Sequence, residues 1–129
     1  MSGPYIAAAS DLVARNMPFG DGQCVALVEA VAHTPDHTAW RQGTALADAI
    51  SRTGGIASGT AIATFMNGVY PSLPTGNHAA IYVSAAEDGK SVVVFDQWVG
   101  QPPHLRTLYF NRPGVHSASD RAEAFSVIM

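Results

Sequence analysis

A tight turn changes into an apolar helix within residues 19–31, FGDGQCVALVEAV. The glycines on either side of Asp21 predict the turn. Asp21 itself is placed to act as the helix N-cap, because its carboxylate can accept hydrogen bonds from the free N–H groups at the helix start. Cys24 then lies in the first helical turn, where those N–H groups and the helix dipole favour an anion. A thiol in this position is expected to lose its proton readily, so the sequence predicts a nucleophilic thiolate.

Length and composition predict one globular domain over residues 1–129. A hydrophobic fraction of 47% and a charged fraction of 13% are typical of a folded protein with a single packed core. The net charge of −3 gives no basic surface for nucleic acid. No apolar run is long enough for a membrane span. Residues 1–11 lack the basic and apolar regions of a secretory signal peptide, so we expect synthesis in the cytoplasm without one.

Helices are predicted first and strands afterwards, which is typical of an α+β fold. A short capped helix is expected over residues 10–15, the Cys24 helix runs to about His33, and a third short helix is possible at 45–50. Residues 40–43 are interpreted as an anchored loop. About five antiparallel strands follow, at 60–66, 79–83, 91–98, 105–110 and 124–128. A hairpin turn at 86–90 joins the second and third strands.

The hairpin gives a partner for the cysteine. His78 opens the second predicted strand, and a turn centred near residue 87 places it opposite Asp96, give or take one position. A carboxylate at the end of the apolar run 92–95 would be costly without a partner, and an imidazole beside it would be held in one tautomer. The sequence therefore predicts a Cys24, His78 and Asp96 triad. Gln97 is the third member if the register slips by one residue.

No metal or cofactor is predicted. His33 and His37 have the spacing of a zinc pair on a helix, but Pro35 lies between them and prevents a shared helix face. The single cysteine cannot form an intramolecular disulfide, so the fold has to be stable without one.

Four blocks of sequence, in order, resemble a known family. They are DGQCVALV at 21–28, GTAIATF at 59–65, GNHAAIY at 76–82 and DQW at 96–98. The chain is similar to papain-like peptidoglycan amidases of the NlpC and CHAP type, and most similar to small type VI secretion amidase effectors of the second family. This resemblance implies a papain-like core, with N-terminal helices packed on an antiparallel sheet and the nucleophile at a helix N-terminus.

The resemblance also implies an activity and partners. It implies a cysteine endopeptidase that hydrolyses stem-peptide or cross-link amides of peptidoglycan, and for the second family the bond between D-alanine and meso-diaminopimelate. It further implies a cognate immunity protein, carriage by type VI secretion components, and action in the periplasm of a target bacterium. In this interpretation the backbone N–H of Cys24 and a second donor hold the oxyanion. Gln23, Gln97 and Trp98 are candidates for oxyanion or substrate positioning.

Other interpretations of the same residues remain open. A lone cysteine in an apolar helix is more often a packing residue than a nucleophile, and Trp98 is as well explained as a groove wall. The alternative enzymes are a phage endolysin and a housekeeping cell-wall hydrolase. The alternative outside enzymes is an inactive peptidoglycan-binding module, which would not need all of Cys24, His78 and Asp96.

Overall fold

The computed structural model describes residues 3–52 and 54–129. Met1, Ser2 and Thr53 lie outside the described residues. The α+β class is confirmed, with one antiparallel sheet of six strands in the order β1-β6-β2-β3-β4-β5. The strands are β1 Gln42–Ala45, β2 Ala61–Thr64, β3 Ala79–Ala85, β4 Ser91–Trp98, β5 Gln101–Tyr109 and β6 Phe125–Ile128. The α-helices are α1 Cys24–Ala32 and α2 Leu46–Ser51, and four 3-10 turns cover Ala9–Asp11, His37–Ala39, Ala118–Asp120 and Ala122–Ala124.

The sheet is covered on both faces. Leu27, Val28 and Val31 of α1 pack against Ile81 and Phe95 on one face. The other face is buried against α2 and the last 3-10 turn, and its apolar cluster includes Leu46, Ile62, Ala80, Tyr82, Val92, Val94, Leu108 and Phe125. Burial of alternate side chains on opposite faces explains why the strands read as continuous apolar runs. Of the helices that the structure describes, none is long and apolar enough to cross a membrane.

Two local predictions were wrong. The helix expected at 10–15 is only the 3-10 turn Ala9–Asp11, with no side-chain cap. A helix of so few residues is marginal without packing, and none of the residues in this turn is buried. The loop expected at 40–43 contains the start of β1, which pairs with β6 at the sheet edge. Its sequence, QGTA, has no alternating apolar pattern, so only the pairing reveals it.

The remaining strand and helix predictions are close to the structure. The helix expected at 45–50 is α2, which begins at Leu46, and the turn at 86–90 contains Gly89 with φ +71°. The strand expected at 105–110 begins earlier, at Gln101, and so includes two prolines. Proline is tolerated there because β5 is an edge strand and because its register with β4 is irregular between Asp96 and Trp98, opposite the two prolines.

The turn before α1 is closed differently from the prediction. The helix begins at Cys24, and its N-cap is Gln23, which makes no side-chain cap hydrogen bond. Asp21 Oδ1 instead accepts the Gln23 N–H at 3.0 Å, so Asp21 fixes the turn and is not the N-cap. Gly20 and Gly22 have φ values of +54° and +88°, a backbone conformation that side chains with a Cβ rarely adopt.

Gln97 fastens this turn to the sheet. Its Oε1 accepts the Phe19 N–H at 2.9 Å, and its Nε2 donates to the carbonyls of Phe19 at 2.9 Å and Gln23 at 2.8 Å. The Gln97 side chain is fully buried, so these bonds form away from competing water. The backbone immediately before Cys24 is therefore positioned by a side chain of β4.

We expect Gln97→Met to lower the free energy of unfolding by about 2 kcal/mol, because it removes the partner of one N–H and two carbonyls in a partly buried turn. Gln101→Met is the matched control, since the Gln101 amide donates only to the neighbouring Pro102 carbonyl and should change stability by less than about 0.5 kcal/mol. Urea unfolding of both variants measures the difference. Equal stabilities for the two variants would show that Gln97 does not hold the turn.

Candidate active site

The three predicted catalytic side chains meet at one end of the sheet. His78 Nε2 lies 2.7 Å from Asp96 Oδ2, and both residues are buried, His78 with 5% and Asp96 with 0% of its surface exposed. Cys24 and His78 line the same cleft, and each side chain shifts the pKa of the other. Since Nε2 is used by Asp96, Nδ1 is the ring nitrogen left for the thiol.

The predicted register was wrong by two residues. Ile81 pairs with Phe95, whereas a turn centred on residue 87 would have paired it with Val93. Continued to residue 78, the observed register reaches Trp98, so His78 contacts Asp96 diagonally. A displacement of two residues keeps both side chains on the same face of the pleated sheet, and diagonal neighbours on one face are still within reach of long side chains. The contact between His78 and Asp96 is therefore present although the predicted register was wrong.

Asp96 and Gln97 lie on opposite faces of β4 and have different contacts. Asp96 contacts His78, while the Gln97 amide is occupied by the Phe19 and Gln23 backbone. Of the two residues considered for the third triad position, Asp96 is the one beside the imidazole.

The electrostatics favour a thiolate and an imidazolium. Burial alone would raise the pKa of the Cys24 thiol, but the hydrogen bond and charge of His78 outweigh burial and lower it. Burial opposes protonation of His78, yet its hydrogen bonds to Asp96 and Cys24 and their charges raise its pKa to about 9. The pKa of Asp96 is lowered despite burial, first by His78 and then by Arg106. An arrangement of this kind can activate a thiol for nucleophilic attack.

Cys24 and His78 open into a cleft of about 380 Å³. Its walls include Gln23 and Trp98, whereas Gln97 is not among the lining residues. Trp98 is 41% exposed and also lines two adjoining depressions. Cys24 is partly exposed, so its sulfur can be reached from the cleft.

Tyr70 is a cleft residue that the sequence analysis missed. Its hydroxyl lies 3.6 Å from the Cys24 sulfur, and its ring packs edge-on against the buried Trp40 at 5.3 Å between centroids. Burial, followed by the charge and hydrogen bond of Cys24, raises the pKa of Tyr70, so the hydroxyl keeps its proton. The preceding Asn67-Gly68 pair, with φ values of +54° and +81°, is a hairpin signal that predicts a defined position for the residues after it.

Arg106 is a second missed residue. Its Nε donates to Asp96 Oδ2 at 2.7 Å, and it lies on β5 opposite Val94. The sequence signal was a single arginine in a strand that forms a hairpin with the strand of Asp96. Without the β4–β5 register that signal does not identify the carboxylate that Arg106 contacts.

One group of metal-ligating side chains occurs among residues 3–52 and 54–129. Glu29, Asp36 and His37 each bring a ligand atom to within 4.8 Å of the others. Hydrogen bonds account for this arrangement, because Glu29 Oε2 accepts the His37 backbone N–H at 2.8 Å and lies 3.2 Å from its Nδ1.

Comparisons with known proteins agree along nearly the whole chain. The family model of domesticated amidase effector 2 matches residues 6–128. A type VI secretion amidase effector 2 protein of Salmonella typhi is 30% identical over 129 residues, which cover 98% of this chain and 91% of the relative. A solved structure of type 6 secretion amidase effector 2 (Tae2) is similar with a TM-score of 0.78 at 30% identity, and the match covers 98% of this chain and 94% of that one.

The lowered thiol pKa has a measurable consequence. We expect iodoacetamide to alkylate Cys24 at pH values where an ordinary thiol is largely protonated. In His78→Ala the pH midpoint of alkylation should move upwards, because the hydrogen bond and the positive charge that favour the thiolate are lost. His116→Ala, at an exposed histidine, is the control and should leave the midpoint unchanged. If the pH midpoint of alkylation is the same in His78→Ala as in the parent protein, His78 does not lower the pKa of the Cys24 thiol.

Proposed function

The chain belongs to the domesticated amidase effector 2 family, and we propose that it is a cysteine endopeptidase that cleaves the bond between D-alanine and meso-diaminopimelate in peptidoglycan. Membership of this family supports an amidase effector role against the bacterial cell wall. The observation that carries the cysteine mechanism is the contact of His78 with Asp96 at 2.7 Å, beside a cleft that Cys24 lines. A module that only binds peptidoglycan needs no such arrangement.

The reaction proceeds in two steps. The Cys24 thiolate attacks the amide carbonyl, and the imidazolium of His78 gives its proton to the leaving amine as the carbon–nitrogen bond breaks. Water then attacks the resulting thioester, His78 removes the proton from that water, and the carboxylic acid product leaves as the sulfur is released. Asp96 holds the imidazole in orientation and supports its charge throughout. We infer that this one domain is sufficient, because all of these groups come from it.

The oxyanion of each tetrahedral intermediate needs donors. The N–H of Cys24 belongs to the first turn of α1, whose N–H groups have no partner inside the helix. The hydroxyl of Tyr70 is the second donor in this proposal, because it lies 3.6 Å from the sulfur and its raised pKa keeps it protonated. Gln23 also lines the cleft and is the competing candidate.

The effector role sets where the protein acts. We propose that components of the type VI apparatus carry it into the periplasm of a target bacterium, where peptidoglycan is accessible. In the producing cell, a cognate immunity protein that covers the cleft around Cys24 would prevent self-damage. The support for both partners is the family relationship and not a feature of the cleft alone.

Digestion of purified sacculi tests the activity. We expect the protein to release fragments whose masses correspond to hydrolysis between D-alanine and meso-diaminopimelate, and Cys24→Ala to release none. Mass spectrometry of the soluble products identifies the bond. Fragments from a different amide would refute the assigned bond but would still support amidase activity. If no fragments are released in a Cys24-dependent way, the protein is not a cysteine amidase.

Tyr70→Phe tests the oxyanion donor. We expect kcat on a cross-linked peptide to fall by about 10²-fold with little change in KM, because the lost hydrogen bond forms to the charge that develops during reaction. Gln23→Ala is the paired variant, at a position without a side-chain helix cap, and should change kcat by less than about threefold. A large effect of Gln23→Ala with a small effect of Tyr70→Phe would transfer the role to Gln23.

A further inference from the structure

Asp96 has two cationic partners at one oxygen. His78 Nε2 and Arg106 Nε each lie 2.7 Å from Oδ2 of this fully buried carboxylate. The other oxygen, Oδ1, has no hydrogen-bond partner among the described residues, and His104 Nδ1 lies 3.7 Å from it. The charge of Asp96 is therefore balanced by His78 and Arg106.

Arg106 is itself held at both ends of its guanidinium. Nη2 donates to the Ser119 carbonyl at 3.2 Å and Nη1 to Asp120 Oδ1 at 3.4 Å. The guanidinium carbon lies 5.2 Å from the centroid of the Trp98 ring, and only 19% of the side chain is exposed. These contacts fix the planar group, so Nε meets Asp96 without first losing much conformational freedom.

The reaction makes this second partner necessary. His78 gains and loses a proton in each turnover, so it stabilises the negative charge of Asp96 with a positive charge for only part of the cycle. A buried carboxylate that loses its counter-charge takes up a proton instead. Arginine differs from histidine in carrying a permanent charge. With Arg106 in contact, Asp96 remains ionised whether His78 is charged or neutral.

We propose that Arg106 is a positioning residue of the reaction: it keeps Asp96 ionised and fixed, and through Asp96 it holds the ring of His78 toward the nucleophile. This inference rests on the proposed roles of Cys24, His78 and Asp96. The guanidinium of Arg106 contacts Asp96, Trp98, Ser119 and Asp120. Its effect reaches the substrate only through the carboxylate and the imidazole.

The surrounding charges set the direction of the pH effect. Three basic side chains surround Asp96. His78 directly precedes β3, and His104 and Arg106 belong to β5. Beyond this shell, Asp120 pairs with Arg106, and Cys24 and Tyr70 interact with each other beside His78. Removal of the permanent positive charge of Arg106 raises the proton affinity of the acids around it. Protonation of Asp96 and Cys24 should then begin at higher pH, so the acid limb of the pH–rate profile moves upwards.

Three variants of the full chain test this role. Arg106→Gln should lower kcat/KM on a cross-linked peptide at pH 7 by about 10²-fold, the lower end of what general acid–base catalysis contributes, and should move the acid limb to higher pH. Arg106→Lys keeps the charge and should restore the position of the limb and most of the rate. Asp120→Asn is the matched control, because it removes only the outer and more exposed partner of Arg106; its rate and limb should match those of the parent protein within about twofold.

The outcomes separate a positioning role from a structural one. A loss of rate in Arg106→Gln with an unmoved acid limb, or a limb that moves equally in Arg106→Lys, would overturn the proposal. The pH midpoint of Cys24 alkylation is measured in parallel and needs no substrate. If Arg106→Gln does not fold, Arg106→Lys carries the test, because a limb that shifts with the charge retained contradicts the role.

The same experiment distinguishes failure of the proposed function from failure of the inference about Arg106. If the parent protein shows no cleavage that Cys24→Ala removes, the proposed function fails, while the alkylation midpoint still reports whether Arg106 influences the thiol through His78. If cleavage depends on Cys24 but neither rate nor midpoint responds to Arg106→Gln, only the present inference fails.

Discussion

The structure depends on one buried negative charge. Asp96 is fully buried, which would be prohibitive for an isolated carboxylate. It is tolerated because His78 and Arg106 donate to the same oxygen at 2.7 Å each. The contact with Asp96 orients the imidazole and, together with Cys24, raises the pKa of His78 to about 9 although burial opposes it. The burial that makes this carboxylate costly therefore also makes it effective as an orienting group.

Two adjacent residues near the end of β4 hold the two parts of the site, the histidine and the turn that carries the cysteine. Successive side chains of a strand point to opposite faces, so Asp96 reaches His78 on one face while Gln97 fastens the turn before Cys24 on the other. Two adjacent residues thus fix the base and the nucleophile relative to each other. A rigid strand can hold this separation more accurately than two independent loops could.

Much of the fold could be predicted because it follows from local patterns. The helix after the glycine turn, the β3–β4 hairpin and the five strands β2 to β6 were predicted from apolar runs and turn residues. The helix expected at 10–15 was wrong because Leu12 is the one residue of this stretch that packs against the core, while the others are exposed. The start of β1 was missed because its sequence acquires strand geometry only through β6. Local propensity is a weak guide wherever tertiary contacts decide between alternatives.

The sequence by itself determined which groups are available and their approximate places: a thiol at a helix start, an imidazole at a strand start and a carboxylate at the end of an apolar run. Only the tertiary structure decided their partners. It separated Asp96 from Gln97, brought Tyr70 to the sulfur at 3.6 Å and placed Arg106 beside the carboxylate. The physical reason is that spacing along the chain fixes the face a side chain occupies, whereas its neighbours depend on strand register and loop closure between distant segments.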